Sequence, residues 1–369
     1  MKLSISQETL AASLGLVVRA VSSRSTLPVL ANVLLKAESD GSLFLAATDL
    51  EIGIACCASC QVDKPGAITV PARTLADLVA TLPHTTLDFT LKKGSLELTC
   101  GASKATLRGV PAEEFPPLPE FDAGSSLQIP ATELKSLIQR VVFAASGDEA
   151  RPVLTGVLLS IDGQTLTLAA ADGFRLSESR ITLEAPTNQS LRCIIPARAL
   201  AELARVTGDA QTVDILRPAG RGQIAFKVAG CQIVSQLIDG SYPDYQQIVP
   251  RKHTTRLTAN TAALLKACKQ AEIFARENGK AARLVIKPGM VEIHGHSEET
   301  GSTGSTVEAV VDGPEMEIAF NVAFLREALG VIRTPTVALE TTTATSPGLF
   351  RPVGEDGFLH VIMPLHLGS

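Results

Sequence analysis

Cys57 and Cys60 stand three apart in IACCASCQV, the spacing with which paired thiolates hold zinc or exchange a disulfide. A structural zinc site needs a second pair of ligands, and none follows at a matching spacing. The seven cysteines are scattered through apolar contexts, so they read as small buried residues kept reduced in a cytoplasm. His294 and His296 flank Gly295 on a strand-like stretch, which puts both rings on one face, but no third ligand lies nearby. Asp172, in AAADGFRL, has the setting of a general base. Asp49 holds the same place in AATDLEI, however, and an acid repeated at a turn caps that turn. GSTGST at 301–306 lacks the lysine of a phosphate loop. No GxGxxG or GxSxG motif occurs, and no acid, base and nucleophile cluster together. The residues imply no catalytic group, no metal and no cofactor.

The elements that carry these residues are repeated. RPVLTGVLLSIDGQTLTLAAADGFRL, from Arg151 to Leu176, echoes LPVLANVLLKAESDGSLFLAATDLEI, from Leu27 to Ile52. Both run an apolar segment through Pro-Val-Leu, turn at a Gly, and rise to Ala-Xaa-Asp. A period this long marks a repeated domain, not a solenoid of short units. Each unit reads β, α, β-hairpin, β, α, then further β. In the first, Leu10, Leu14, Val17, Val18 and Val21 make a helical stripe over 7–24. The strand ending at Val70 leads through Pro71 into a helix over 72–82. A hairpin then turns at Lys93-Gly94. The second unit repeats this with helices over 132–145 and 197–207, Pro196 taking the place of Pro71. The third places helices over 261–278 and 322–333, with Asn321 as an N-cap where the others have proline. The fold class is α+β: three tandem domains, each with two helices packed on β-sheets. Their boundaries are 1–125, 126–250 and 251–369, with turn-rich linkers PEFDAGSS and QIVPRKHT. Tyr242, Pro243 and Tyr245 form an extended exit from the second unit, suited to packing between units or to a docking groove.

With 369 residues, 45% apolar and 19% charged, the chain has ample material for packed cores and is not disordered. No apolar run approaches a membrane span, and the first residues do not form a signal peptide. The formal charge is −5, yet it is unevenly placed. The six helical segments hold twelve basic and seven acidic residues, a net +5, which leaves −10 elsewhere. Basic helix faces on one surface would attract a polyanion through its phosphates, weakly and without reading sequence. With no Trp and two Tyr, stacking platforms for single strands are not expected.

RPVLTGV, AAADGFRL, LIDGSYPDY, EIAFNV and the terminal VIMPLHL resemble the bacterial DNA polymerase III beta subunit, or beta sliding clamp, family along all three repeats. The resemblance implies a non-catalytic processivity factor, cytoplasmic and associated with the nucleoid. It implies two chains joined head to tail into a dimeric ring around double-stranded DNA. The partners implied are replicative and repair polymerases, the clamp loader and other proteins with short clamp-binding peptides, and no membrane. Carried over by position, the peptide groove between the second and third units takes Leu154, Ala171, Gly173, Phe174, Arg175, Leu176, Pro243 and Ile248. Facing them are Asn321, Phe324, Val361, Ile362, Met363, Pro364 and Leu365. DNA would meet Arg24, Arg73, Lys135, Arg151 and Arg198. Leu107, with Ile273 and Phe274, falls at apolar dimer-interface positions. The chain departs from the family pattern at Phe174, where a histidine is common, and at Gln247 and Gly279.

A different class of function, a three-domain phosphotransferase or hydrolase with its site between repeats, would need a unique reactive cluster built from loops. A plasmid or phage clamp would share the fold.

Overall fold

A computed structural model describes residues 1–22, 27–119, 126–184, 190–216, 222–275 and 279–366. The chain divides into two compact units, Met1–Lys135 with Arg198–Leu237, and Ser136–Ala197 with Ile238–Ser369. The second sequence repeat therefore contributes a part to each unit.

In the first unit, β1 (Lys2–Ser6) runs into α1 (Gln7–Val17), whose entrance is capped by Ser6 accepting from the Thr9 N–H. The helix ends seven residues short of the expected Arg24: Val18–Ala20 tighten into a 3-10 turn and Val21 is extended. Then follow β2 (Asn32–Ala37), β3 (Ser42–Thr48), β4 (Ile52–Ser59), β5 (Gln61–Lys64), β6 (Gly66–Pro71) and α2 (Ala72–Thr81). β7 (Thr86–Lys92) and β8 (Ser95–Cys100) form the hairpin at Lys93-Gly94, both of positive φ (46° and 76°), as a type I′ turn demands. β9 (Ser103–Arg108) closes the repeat and β10 (Leu127–Pro130) opens the next. Later in the chain, β15 (Thr212–Leu216), β16 (Gln223–Val228) and β17 (Cys231–Gln236) return to this unit. Two sheets result, ordered β5-β1-β7-β8-β9 and β10-β15-β16-β17-β4-β3-β2-β6. The β17–β4 pairing is the joint that makes repeats one and two share one sheet. Leu10, Leu14 and Val17 of α1 and Leu75 and Val79 of α2 are buried, while Leu78 is only half-buried.

The second unit is built from β11 (Gly156–Asp162), β12 (Thr165–Ala171), β13 (Arg175–Thr182) and β14 (Leu191–Pro196) of repeat two. Repeat three adds β18 (Thr255–Asn260), α5 (Thr261–Ala275), β19 (Ala281–Lys287), β20 (Met290–Ser297), β21 (Gly301–Asp312) and β22 (Met316–Asn321). α6 (Val322–Val331), β23 (Thr336–Thr341), β24 (Gly348–Pro352) and β25 (Phe358–Ile362) complete it. One sheet orders β14-β11-β12-β13-β25-β24-β23-β18-β21-β20-β19-β22. Here the joint between repeats is β13 against β25. Leu264, Cys268, Val322, Leu325 and Leu329 of α5 and α6 bury against Leu257, Ile293 and Phe320. Asn321 caps α6 by accepting from the Ala323 N–H at 3.0 Å, as its place in the sequence predicts. α3 (Ala131–Val141) and α4 (Ala197–Val206) lie where the division between the units falls.

Candidate functional site

The two aspartates at the repeated turn do the same structural work. Asp49 Oδ1 accepts from the N–H groups of Glu51 and Ile52, at 3.0 and 2.8 Å. Asp172 Oδ1 accepts from those of Phe174 and Arg175, at 2.8 and 3.0 Å. Each is an Asx cap on a tight turn, and each offers its second oxygen to an arginine: Arg198 at 2.5 Å for Asp49, Arg175 at 3.0 Å for Asp172. Both carboxylates are committed, so neither is placed to take a proton from a substrate. Gly173, beside Asp172, has φ +96°, and a Cβ there would come to 3.1 Å from Arg151 Nη1. A side chain at this position is strained by the backbone alone.

The turn after β12 is one wall of an apolar surface. Phe174 (61% exposed), Ile248 (48%) and Met363 (39%) are among the most exposed large apolar side chains described. The Met363 N–H donates to the Phe174 carbonyl at 2.8 Å, so these two side chains are neighbours on adjoining segments. Leu154 and Ala171 are half-buried and pack on one cluster with Leu176, Val361, Tyr242 and Tyr245. Pro243 is exposed between the tyrosines, whose rings meet edge to face at 6.4 Å, and the Tyr245 hydroxyl donates to Glu178 at 2.7 Å. Pro364 and Leu365 are half-buried, and the Leu365 N–H donates to Ala319 at 2.8 Å.

Three of the positions expected to line a groove are buried. Leu176 and Val361 pair across β13 and β25 and are 2% and 1% exposed. Ile362, fully buried, points through the alternation of its strand into the core under α5 and α6. Leu176 and Val361 form the floor, and the exposed residues carry the surface.

Arg175 is likewise a support. Its side chain is 9% exposed, pairs with Asp172 and Glu327, donates to the Phe143 carbonyl at 2.6 Å, and stacks on Phe324 at 4.1 Å. One guanidinium thus ties the capped turn to α6 and to the 3-10 turn, Val142–Ala144, that follows α3. Neither Phe143 nor Glu327 carried a motif; the Asp172-x-x-Arg175 spacing was the available signal. Beneath it lies His360, fully buried, with Nδ1 at 2.5 Å from Ser177 Oγ. Burial, aided by the Arg175 charge, pushes its pKa down to about 3, so it is a neutral core residue.

The basic candidates separate. Arg24 lies outside the described residues. Arg73 and Arg198 meet in a shallow cavity with Arg19, Asp49 and Glu202. There Arg198 also donates to the Arg19 carbonyl at 3.0 Å, while Glu202 takes Arg19 at 3.5 Å and Arg205 at 3.2 Å. Arg151 sits at the Gly173 turn and pairs with Asp148 at 3.2 Å, which sets it beside the apolar surface. The charge partition is weaker than the sequence implied, because the helices are shorter. Arg19 and Arg333 fall outside them, and Arg140, Arg198, Arg205 and Arg326 are in ion pairs. Among the described residues, the helical cations without an ion pair are Arg73, Lys135, Lys266 and Lys269, of which all but the half-buried Lys135 are exposed.

Of the three apolar interface candidates, Ile273 on α5 is 60% exposed and Phe274 half-buried. Leu107 is 6% exposed and pairs with Leu96, so it belongs to its own sheet. Cys57 is exposed on β4 and His294 pairs with Glu292 at 3.2 Å.

Three family models match in order: the N-terminal, central and C-terminal domains of the DNA polymerase III beta subunit, at residues 1–119, 128–244 and 246–366. The beta sliding clamp of Synechococcus elongatus is 35% identical, with all of both chains covered. That of Bacillus subtilis is 32% identical over 99% of each. Among solved structures, the Bacillus subtilis DNA polymerase sliding clamp superposes with a TM-score of 0.93 at 30% identity, covering 100% of both chains. The DNA polymerase III subunit beta of Pseudomonas aeruginosa gives 0.90 at 32%, again with full coverage. Matched end to end by three domain models in their order, this chain belongs to the DNA polymerase III beta subunit, or beta sliding clamp, family.

Proposed function

We propose that the chain is a DNA sliding clamp: a head-to-tail homodimeric ring that encircles duplex DNA and tethers polymerases and other partners through short peptides. It is a processivity factor and not an enzyme. The observation that carries the reading is the match of all three domain models along the whole length. The repeats would be three clamp domains, 1–125, 126–250 and 251–369. No helix among the described residues is long and apolar enough to cross a membrane, and the working place would be the cytoplasm, at the nucleoid.

DNA would be held weakly, by Arg73, Lys135 and the lysines of α5 through phosphates, with topology supplying retention. Arg198, already paired with Asp49, would meet phosphate only in competition with that carboxylate. The test is retention on circular against linear DNA of equal length after loading by the cognate loader. Retention on circles with escape from linear ends is expected; equal, salt-labile binding to both would reduce the protein to a DNA-attracting surface.

Peptides would dock on Phe174, Pro243, Ile248 and Met363 over the Leu176–Val361 floor, with Leu154, Ala171, Pro364 and Leu365 at the margins. Exposed apolar side chains around a firm apolar floor suit an extended peptide with Leu or Phe anchors. Met363→Glu puts a charge where an anchor would be desolvated. It should weaken a Leu/Phe clamp-binding peptide by roughly thirtyfold or more in fluorescence polarisation, with the dimer mass unchanged. Unaltered affinity would place the groove elsewhere.

A further inference from the structure

On the open face of the β4–β3–β2 sheet, where β17 joins it, lies a cleft of about 670 Å³. Leu34, Phe44, Phe115 and Leu118 supply its apolar walls, and the Cys57 thiol opens into it. Phe115 and Leu118 come from the strap at residues 111–119, which is held down where Gln232 Nε2 donates to the Pro119 carbonyl at 3.1 Å. Two ammonium groups stand at the cleft, but they are not equivalent. Lys36 is answered by Glu38 at 2.6 Å, whereas Lys227, half-buried, forms no ion pair among the described residues.

The repeat provides an internal comparison. The corresponding face in repeat two also carries a cleft, of about 790 Å³, and there the matching positions are Ser160, Thr167, Glu178 and Arg180. Lys36, Phe44, Ala55 and Cys57 replace them in repeat one. The solvent face of an antiparallel sheet is ordinarily polar, and the repeat-two cleft follows that rule. The repeat-one cleft breaks it at Phe44, Ala55 and Cys57 while keeping at its edge Lys227, which forms no ion pair among the described residues although Asp214 lies across from it on β15.

We propose that this cleft binds a small aromatic carboxylate, with its ring packed between Phe44, Phe115 and Leu118 and its carboxylate on Lys227. A cavity of this size holds a ligand of drug-like bulk, and apolar walls with one placed charge are the usual makeup of such sites. Aromatic walls favour an aromatic ring, edge to face. The ligand would touch both β3–β4 and the strap, so it would clamp the exit of repeat one onto the sheet it shares with repeat two.

Cys57 reports occupancy, and Cys60, three residues on and outside the cleft, is an internal control. The full chain is alkylated with iodoacetamide at alkaline pH, with and without saturating 2-naphthoate, and each thiol is followed by mass spectrometry. Burial and nearby acids raise the Cys57 pKa, hence the alkaline condition. Protection of Cys57 by roughly fivefold or more with Cys60 unchanged is expected, since a seated ligand blocks access to the thiolate. The neutral 2-naphthamide should protect little, and Lys227→Gln should lose the naphthoate protection at an unchanged melting temperature. No protection, equal protection of both thiols, or equal protection by the amide or in Lys227→Gln would each overturn the assignment.

Discussion

Arg175→Ala is expected to cost the second unit roughly 3 kcal/mol of stability and to disorder the proposed peptide surface, although Arg175 itself is almost hidden from solvent. The substitution removes five interactions at once: the pairs with Asp172 and Glu327, the bond to the Phe143 carbonyl, and the contacts with the Phe143 and Phe324 rings. The larger part of the loss comes from what stays behind. Asp172, 15% exposed, would be left a poorly solvated carboxylate, while Glu327, 31% exposed, would keep only its 3.5 Å contact with Arg326. Phe324 would lose the cation over its ring face. Freed from Arg175, Asp172 would still cap the turn through its backbone bonds, but the turn would no longer be tied to α6, and Phe174 would lose its fixed position. Thermal melting should shift down by several degrees, and affinity for a Leu/Phe peptide should fall by roughly tenfold. Arg175→Lys separates charge from geometry. An ammonium can satisfy one carboxylate but not the planar fork, so this variant should recover part of the stability and little of the peptide affinity. An Arg175→Ala protein with wild-type melting and wild-type peptide binding would show that the turn is held by Asp172 alone.

The repeats were legible in the sequence because they rest on periodicities that survive divergence: the Pro-Val-Leu entry, the Gly turn, the apolar stripes of the helices. The N-cap at Asn321 and the I′ turn at Lys93-Gly94 were legible for the same reason, since each is fixed by local chemistry. Sequence did not show how the repeats divide into compact units. The β17–β4 and β13–β25 pairings join strands far apart in the chain, and edge strands of this kind carry no mark of their partner. Those pairings are also why Leu176, Val361 and Ile362 came out as floor and core. β25 is buried on both faces, with Val361 against the tyrosine cluster and Ile362 in the core under α5 and α6, and position in a motif says nothing of that. The charge partition is weaker than the sequence implied, through shorter helices and through ion pairs. Arg19 lies in a 3-10 turn past Val17, and Arg198 and Arg205 spend their charge on Asp49 and Glu202.

Ile273→Asp is expected to halve the mass measured by light scattering, from a dimer to a single chain, while leaving the fold intact. Ile273 is 60% exposed on α5, so an aspartate there costs the isolated chain little, and the variant separates association from folding. Phe274→Asp should act in the same direction, but Phe274 is half-buried and its loss would also disturb α5. Two strand edges argue that α5 lies at a contact between copies. β9 pairs only with β8 among the described residues, leaving one side open. Among the described residues, the stretch Gly301–Glu308 of β21 pairs with β20 on one side only, because β18 takes up the strand from Ala309 onward. Open edges are liabilities unless covered. These two are oppositely charged: Lys104 and Arg108 lie on or end β9, and Glu298, Glu299 and Glu308 flank or end the open stretch of β21. Edge meeting edge from different repeats is a heterologous contact, and such a contact makes a closed ring only when its rotation closes. Reversing Lys104 and Arg108 together to glutamate should slow association and weaken its salt dependence, because rim charges steer encounter more than they hold the complex. A dimer of wild-type mass in Ile273→Asp, with association unaltered in the charge-reversed β9 variant, would move the interface away from both edges.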